Sequence, residues 1–91
     1  MDQFQKKTIK EGEALIKEGE LDHNLYILIK GCLKVYKAQN SSEFEIATIL
    51  PGQVVGEMSF LDKKPRSASV KALKESIIAI VPRSYYEEFL K

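Results

Sequence analysis

Histidine and cysteine occur once each, at His23 and Cys32. A lone cysteine cannot form an internal disulfide, and Cys32 sits in an apolar run, so a buried thiol in a reducing compartment is expected. One histidine and one cysteine are too few for a converging transition-metal centre, and His23, in Asp22-His23-Asn24, reads as a turn residue. They also leave no Ser/His/Asp or Cys/His nucleophile system. An excess of charge of one sign is missing as well. Fourteen basic residues are interspersed with thirteen acidic ones for a net charge of +1, which gives no broad field to gather nucleic acid or anionic lipid. Long hydrophobic runs are absent too. No segment approaches the roughly 20 apolar residues that span a bilayer, and Met1 to Lys7 has no apolar signal core, so a cytoplasmic protein without membrane insertion is expected. There is no Walker-type glycine loop, no repeat of solenoid length and no low-complexity tract.

What remains is an ordinary globular composition, 44% apolar and 30% charged over 91 residues, enough for one domain with one core. Short apolar runs alternate with turn formers at Gly12, Gly19, Gly31, Asn40-Ser41-Ser42 and Pro51-Gly52, the rhythm of an all-β chain. Lys7 to Ile9 and Ala14 to Ile16 are short early strands. Leu25 to Ile29 is apolar on both faces, Cys32 to Tyr36 half alternates, and Lys30-Gly31 between them reads as a tight hairpin turn. Phe44 to Leu50 places Phe44, Ile46, Thr48 and Leu50 on one face and Glu45, Ala47 and Ile49 on the other. Ser67 to Ala72 and Ser76 to Val81 make the last two strands. Pro82 stops the final one, and Ser84 with Glu87 three residues later has capping-box spacing for a short helix that lays Tyr86, Phe89 and Leu90 on the barrel. Gly56 to Leu61 breaks the β pattern, because it lacks β-branched residues and suits a short helix.

That break is where the chemistry concentrates. Gly56 lets backbone approach a ligand, and the first N–H groups of a helix are orphan donors suited to an anion. Nine residues beyond Glu57 comes Arg66, fixed in approach by Pro65. Twelve of the fourteen basic positions are lysine, and arginine stands only at Arg66 and Arg83. Arginine offers a planar fork for phosphate oxygens that lysine lacks. Ser67 adds a hydroxyl, and an ionised Glu57 can accept from a sugar hydroxyl. Taken singly, Glu57 and Arg66 read better as partners in a surface ion pair than as ligand contacts. With the Gly-Glu entry, the Pro-Arg-Ser-Ala exit and the β frame, they describe a sugar-phosphate site. The Lys6-Lys7 and Lys63-Lys64 pairs read as solvated charge, with a raised potential beside the phosphate site as the alternative for Lys63 and Lys64.

Val55-Gly56-Glu57-Met58-Ser59-Phe60-Leu61 and Pro65-Arg66-Ser67-Ala68-Ser69-Val70-Lys71-Ala72 resemble the phosphate-binding cassette of the cyclic-nucleotide-binding domain family, found in kinase regulatory subunits, gated channels and catabolite-activator-type regulators. The likeness continues through Ile9 to Glu13, Ile16 to Glu20 and Leu25 to Tyr36, so it covers nearly the whole chain. It implies that Glu57 binds the ribose 2′-hydroxyl and Arg66 the cyclic phosphate, that Gly56, Met58 and Ser59 present backbone groups, that Ser67 gives a hydroxyl and that Ala68 lines the pocket. Val54, Ile46 and Leu33 are expected on the apolar wall near the base.

The expected fold is an antiparallel jelly-roll β-barrel of about eight strands, with a short helix inserted after the sixth and another at the C-terminus. Residues 1–91 are expected to be one domain that lacks the family's usual C-terminal lid helix. The expected function is non-catalytic and reversible binding of cAMP, slightly ahead of cGMP, with no cofactor and no direct nucleic-acid contact. A fused or separate effector domain and a homodimer are the expected partners. Two alternatives stay open: a degenerate barrel kept as an interaction or dimerisation module, and a metal-dependent jelly-roll enzyme, against which the single histidine counts.

Overall fold

Each turn former closes one short strand and opens the next. The computed structural model describes residues 4–22, 24–56, 64–82 and 84–85. Among these lie eight strands: β1 Gln5–Ile9, β2 Ala14–Ile16, β3 Leu25–Lys30, β4 Leu33–Gln39, β5 Ser42–Ile49, β6 Val54–Val55, β7 Ser69–Ala72 and β8 Ser76–Val81. They form two four-stranded antiparallel sheets in the orders β1-β8-β3-β6 and β2-β7-β4-β5. The sheets close on a shared core of Ile9, Ile16, Tyr26, Leu28, Leu33, Val55, Val70, Ala72 and Ile78, which makes the jelly-roll barrel. β8 lies between β1 and β3, and its continuous apolar sequence reflects that central place. The edge strands β1 and β5 are almost wholly exposed.

Two local expectations are overturned. Lys30-Gly31 is not a hairpin turn, because β3 pairs with β8 and β6 while β4 pairs with β5 and β7. The bend carries the chain from one sheet to the other. Gly31 has φ 110°, and a β-carbon there would lie 2.1 Å from Ser76 Oγ. That hydroxyl, fully buried, accepts from the Cys32 N–H at 3.1 Å and donates to the Lys74 carbonyl at 2.8 Å. The true hairpin is β4–β5, turned by Asn40 and Ser41 with φ 51° and 67°, the two positive angles of a type I′ turn. The alternation of β5 is broken as well. Val35 faces Ala47 but the next residue, Tyr36, faces Glu45, so Ile46 is the extra residue of a bulge. Beyond it Phe44 pairs with Lys37 and joins the face of Ala47 and Ile49.

One turn is used three times. In Lys10–Glu13, Lys17–Glu20 and Leu50–Gln53 the fourth residue's N–H donates to the first residue's carbonyl, at 2.9, 3.1 and 3.0 Å. The third residue is glycine, with φ 82°, 90° and 92°, as a type II turn requires. In each, the fourth side chain, Glu13, Glu20 or Gln53, accepts from the first residue's N–H at 3.0, 2.7 and 2.8 Å. Each turn also grips one residue of a distant segment by both backbone groups. The residues gripped are Ala72, Arg66 and Leu28 respectively.

Ser67 and Ala68 precede β7 as a bend. The inserted helix and the side chains expected to pack from the C-terminal helix, Tyr86, Phe89 and Leu90 with Glu87, lie outside the described residues. At the start of that segment the Tyr85 N–H donates to the Pro82 carbonyl at 3.1 Å, and its ring meets Phe4 edge-on at 4.7 Å between centroids. Among the described residues no helix is long and apolar enough to cross a membrane.

Candidate functional site

Pro65 delivers the chain to Arg66, and the Lys17–Glu20 turn fixes its backbone. The Gly19 N–H donates to the Arg66 carbonyl and the Arg66 N–H to the Glu20 carbonyl, both at 2.8 Å. The side chain then runs inward, and Arg66 is only 4% exposed. A buried guanidinium needs partners, since an unpaired buried cation costs several kcal/mol. Nη1 donates to the Gly56 carbonyl at 2.9 Å and Nη2 to the Asn24 carbonyl at 2.6 Å. Asp22 Oδ2 lies 3.4 Å from Nη2 and supplies the counter-charge, and the Tyr26 ring is 5.7 Å away, within cation–π reach.

Asp22 is itself held. The Tyr26 hydroxyl donates to its Oδ2, and the Asn24 N–H donates to Oδ1 at 2.9 Å. Burial works to raise this carboxyl, but the hydrogen bonds from Tyr26 and Asn24 and the Arg66 charge outweigh it, so Asp22 titrates below the ordinary aspartate value. The same arrangement acts in the opposite sense on the phenol. Burial first, then the bond to the Asp22 carboxylate and its charge, push Tyr26 up to about 12.

Gly56 is shaped by this arrangement. Its φ is 89°, and a β-carbon would lie 2.4 Å from Arg66 Nη1 and 3.2 Å from the Asn24 carbonyl oxygen. Only glycine therefore lets the strand end sit against the guanidinium. Arg66 Nε is buried and has no hydrogen-bond partner among the described residues. An N–H of this kind, on a cation whose other edge is pinned by carbonyls, can bond an anionic oxygen without reorganising.

Of the residues expected at the site, the structure brings Gly56 and Arg66 into direct contact. It places exposed Ser67 and half-buried Ala68 directly after Arg66. Glu57, Met58 and Ser59 lie outside the described residues. Val54 and Ile46 are 38% and 55% exposed, on different sheets. Leu33 is fully buried in the core cluster and has no surface to offer a base, because its face of β4 points between the sheets. Sequence reasoning missed Asp22, Asn24, Tyr26 and the Lys17–Glu20 turn. One signal was available: Tyr26 puts a hydroxyl into an apolar strand, where it needs a partner, and Asp22 stands four residues earlier. Among the described residues no group of three or more histidine, cysteine or carboxylate side chains could hold a metal ion.

The family model described as the cyclic nucleotide-binding domain matches residues 6–91. The chain belongs to this family. The domain is 30% identical over 84 residues to the cyclic AMP receptor protein of Thermus thermophilus, across 91% of this chain and 39% of that protein. It is 35% identical over 66 residues to the cAMP-dependent protein kinase type II regulatory subunit of Drosophila melanogaster, across 72% of this chain and 18% of the subunit. Among solved structures it matches the EAL enzyme Bd1971 in cAMP-bound and cGMP-bound forms. Each match has a TM-score of 0.89 and 30% identity, over 94% of this chain and 23% of the enzyme. The domain thus spans well under half the length of these relatives, one of them a kinase's regulatory subunit.

Proposed function

We propose that this domain is a non-catalytic receptor that binds cAMP or cGMP reversibly and releases it unchanged. The observation that carries the reading is Arg66, a buried guanidinium braced by the Gly56 and Asn24 carbonyls and offering Nε–H toward an anion. Arg66 takes the cyclic phosphate, Ser67 adds a hydroxyl, and Gly56 with Met58 and Ser59 supplies backbone groups. Glu57 accepts from the ribose, Ala68 lines the pocket, and the exposed Ile46 and Val54 are available to the base. Residues 1–91 act as one cytoplasmic regulatory domain without a cofactor, reporting to a fused or separate effector domain, in a homodimer where one forms. The reading is supported by membership of the family and by the cyclic-nucleotide-bound forms of the related enzyme.

Titration calorimetry with cAMP and cGMP, and with 5′-AMP as the acyclic control, tests it. Saturable heat from a cyclic form is expected, weakened in Arg66→Lys by about 1.5 to 3 kcal/mol, the worth of charged hydrogen bonds that a lysine cannot reproduce. Lysine keeps the charge opposite Asp22, so the variant stays folded where alanine would strand that carboxylate. Absence of heat or thermal shift with millimolar ligand would overturn the reading in favour of a barrel retained for protein contacts.

A further inference from the structure

We propose that Glu20 is a positioning residue for Arg66, acting through the Lys17–Glu20 turn; the inference rests on the reading of Arg66 as the phosphate ligand. The three equivalent turns provide the comparison. Each closes with the same side-chain bond, and each grips one distant residue between the glycine N–H and the fourth residue's carbonyl. The copy at Lys10–Glu13 grips Ala72 and the copy at Leu50–Gln53 grips Leu28, both core residues whose burial already locates them. The copy at Lys17–Glu20 grips Arg66, which lies outside any strand and has no ladder to hold its backbone.

The carbonyl of Glu20 is aimed at the Arg66 N–H by the turn, and the Glu20 carboxylate closes that turn through the Lys17 N–H at 2.7 Å. Glu20 itself is exposed, so its side chain adds little to the core. Loss of that bond frees the dihedral angles that set the carbonyl direction. A guanidinium must be placed to within a fraction of an ångström to bond a phosphate. The adjoining Glu18 N–H donates to Ser69 Oγ at 2.9 Å, which ties the same turn to the start of β7 just beyond Arg66. Gln53 performs the closing role with a neutral amide. The role therefore belongs to the acceptor oxygen and not to the charge.

The test compares Glu20→Ala, Glu20→Gln and Glu13→Ala in the full chain. The readout is the Arg66 Nε–H resonance in ¹⁵N spectra, assigned with Arg66→Lys; the chain holds only two arginines. Glu20→Ala is expected to shift or broaden that resonance, while Glu20→Gln and Glu13→Ala leave it in place. In the same variants Glu20→Ala should weaken cyclic-nucleotide binding about fivefold, the loss of one neutral hydrogen bond's worth of positioning, with Glu20→Gln within about twofold of the native chain. If the native chain takes up no cyclic nucleotide, the functional reading fails while the resonance still decides the positioning. An Arg66 resonance unmoved in Glu20→Ala, or moved equally by Glu13→Ala, overturns the inference.

Discussion

Alanine at Gly56 should destabilise the fold more than alanine at Gly52, and the difference between the two measures how firmly Arg66 is held. The backbone angle is nearly the same at both, with φ 89° and 92°. Forcing a β-carbon into that region costs each variant about 1 to 2 kcal/mol. Around Gly52 nothing lies within 4 Å of the added carbon, so strain is the whole cost. At Gly56 the carbon lands 2.4 Å from Arg66 Nη1 and 3.2 Å from Cζ. A side-chain end can often swing away from such a clash. This one is buried and bonded to two carbonyls, so moving it forfeits the charge-assisted bond to the Gly56 carbonyl at least. That adds about 1.5 to 3 kcal/mol, for a total of about 2.5 to 5 kcal/mol. Urea denaturation of the two variants, read at constant m-value, gives the difference directly. A Gly56→Ala variant within about 0.5 kcal/mol of Gly52→Ala would refute the account, because the guanidinium would then be free to leave at no cost.

Two more expectations follow from the buried polar groups. Tyr26 ionises near 12 in the folded state and near 10 when unfolded, so its share of stability is intact below pH 10 and is lost as pH rises through 12. Ultraviolet titration should show a phenolate component near pH 12 that vanishes in Tyr26→Phe, and an unchanged titration curve in that variant would contradict the Asp22 contact. Gly31→Ala brings a β-carbon to 2.1 Å from Ser76 Oγ and 2.7 Å from the Ser76 backbone. It should cost more than about 3 kcal/mol in thermal or urea unfolding, and a variant as stable as the native chain would mean the bend between sheets can relax.

The sequence announced its strands more clearly than their partners. Ser76 to Val81 was legible because a β-branched run closed by Pro82 has few other solutions. The Lys30-Gly31 bend was not, since a glycine with positive φ serves a hairpin and a change of sheet equally, and only the pairing of β3 with β8 decides between them. The Phe44 to Leu50 alternation misled because Ile46 is a bulge residue, and a bulge resets the faces without any mark in composition. At the site, Arg66 stood out as one of two arginines among lysines. Its counter-ion did not. Asp22 lies forty-four positions earlier, and neutralising a buried charge is a three-dimensional requirement that local periodicity does not carry. Leu33 was misassigned for a related reason: an apolar residue near a site and one beneath it look the same in a string of letters.

The Arg66 bond to the Gly56 carbonyl, 2.9 Å long, joins two points with nine residues of sequence between them. Tying the ends of a stretch settles its loop-closure entropy in advance, and thereafter the penalty grows only with the logarithm of length, about 0.6 kcal/mol for each doubling. Either anchor is therefore costly to change, because the closure is lost with it. What the barrel fixes is thus the frame, and under the proposed reading the sequence between the two anchors, Glu57, Met58 and Ser59 with it, answers to the ligand.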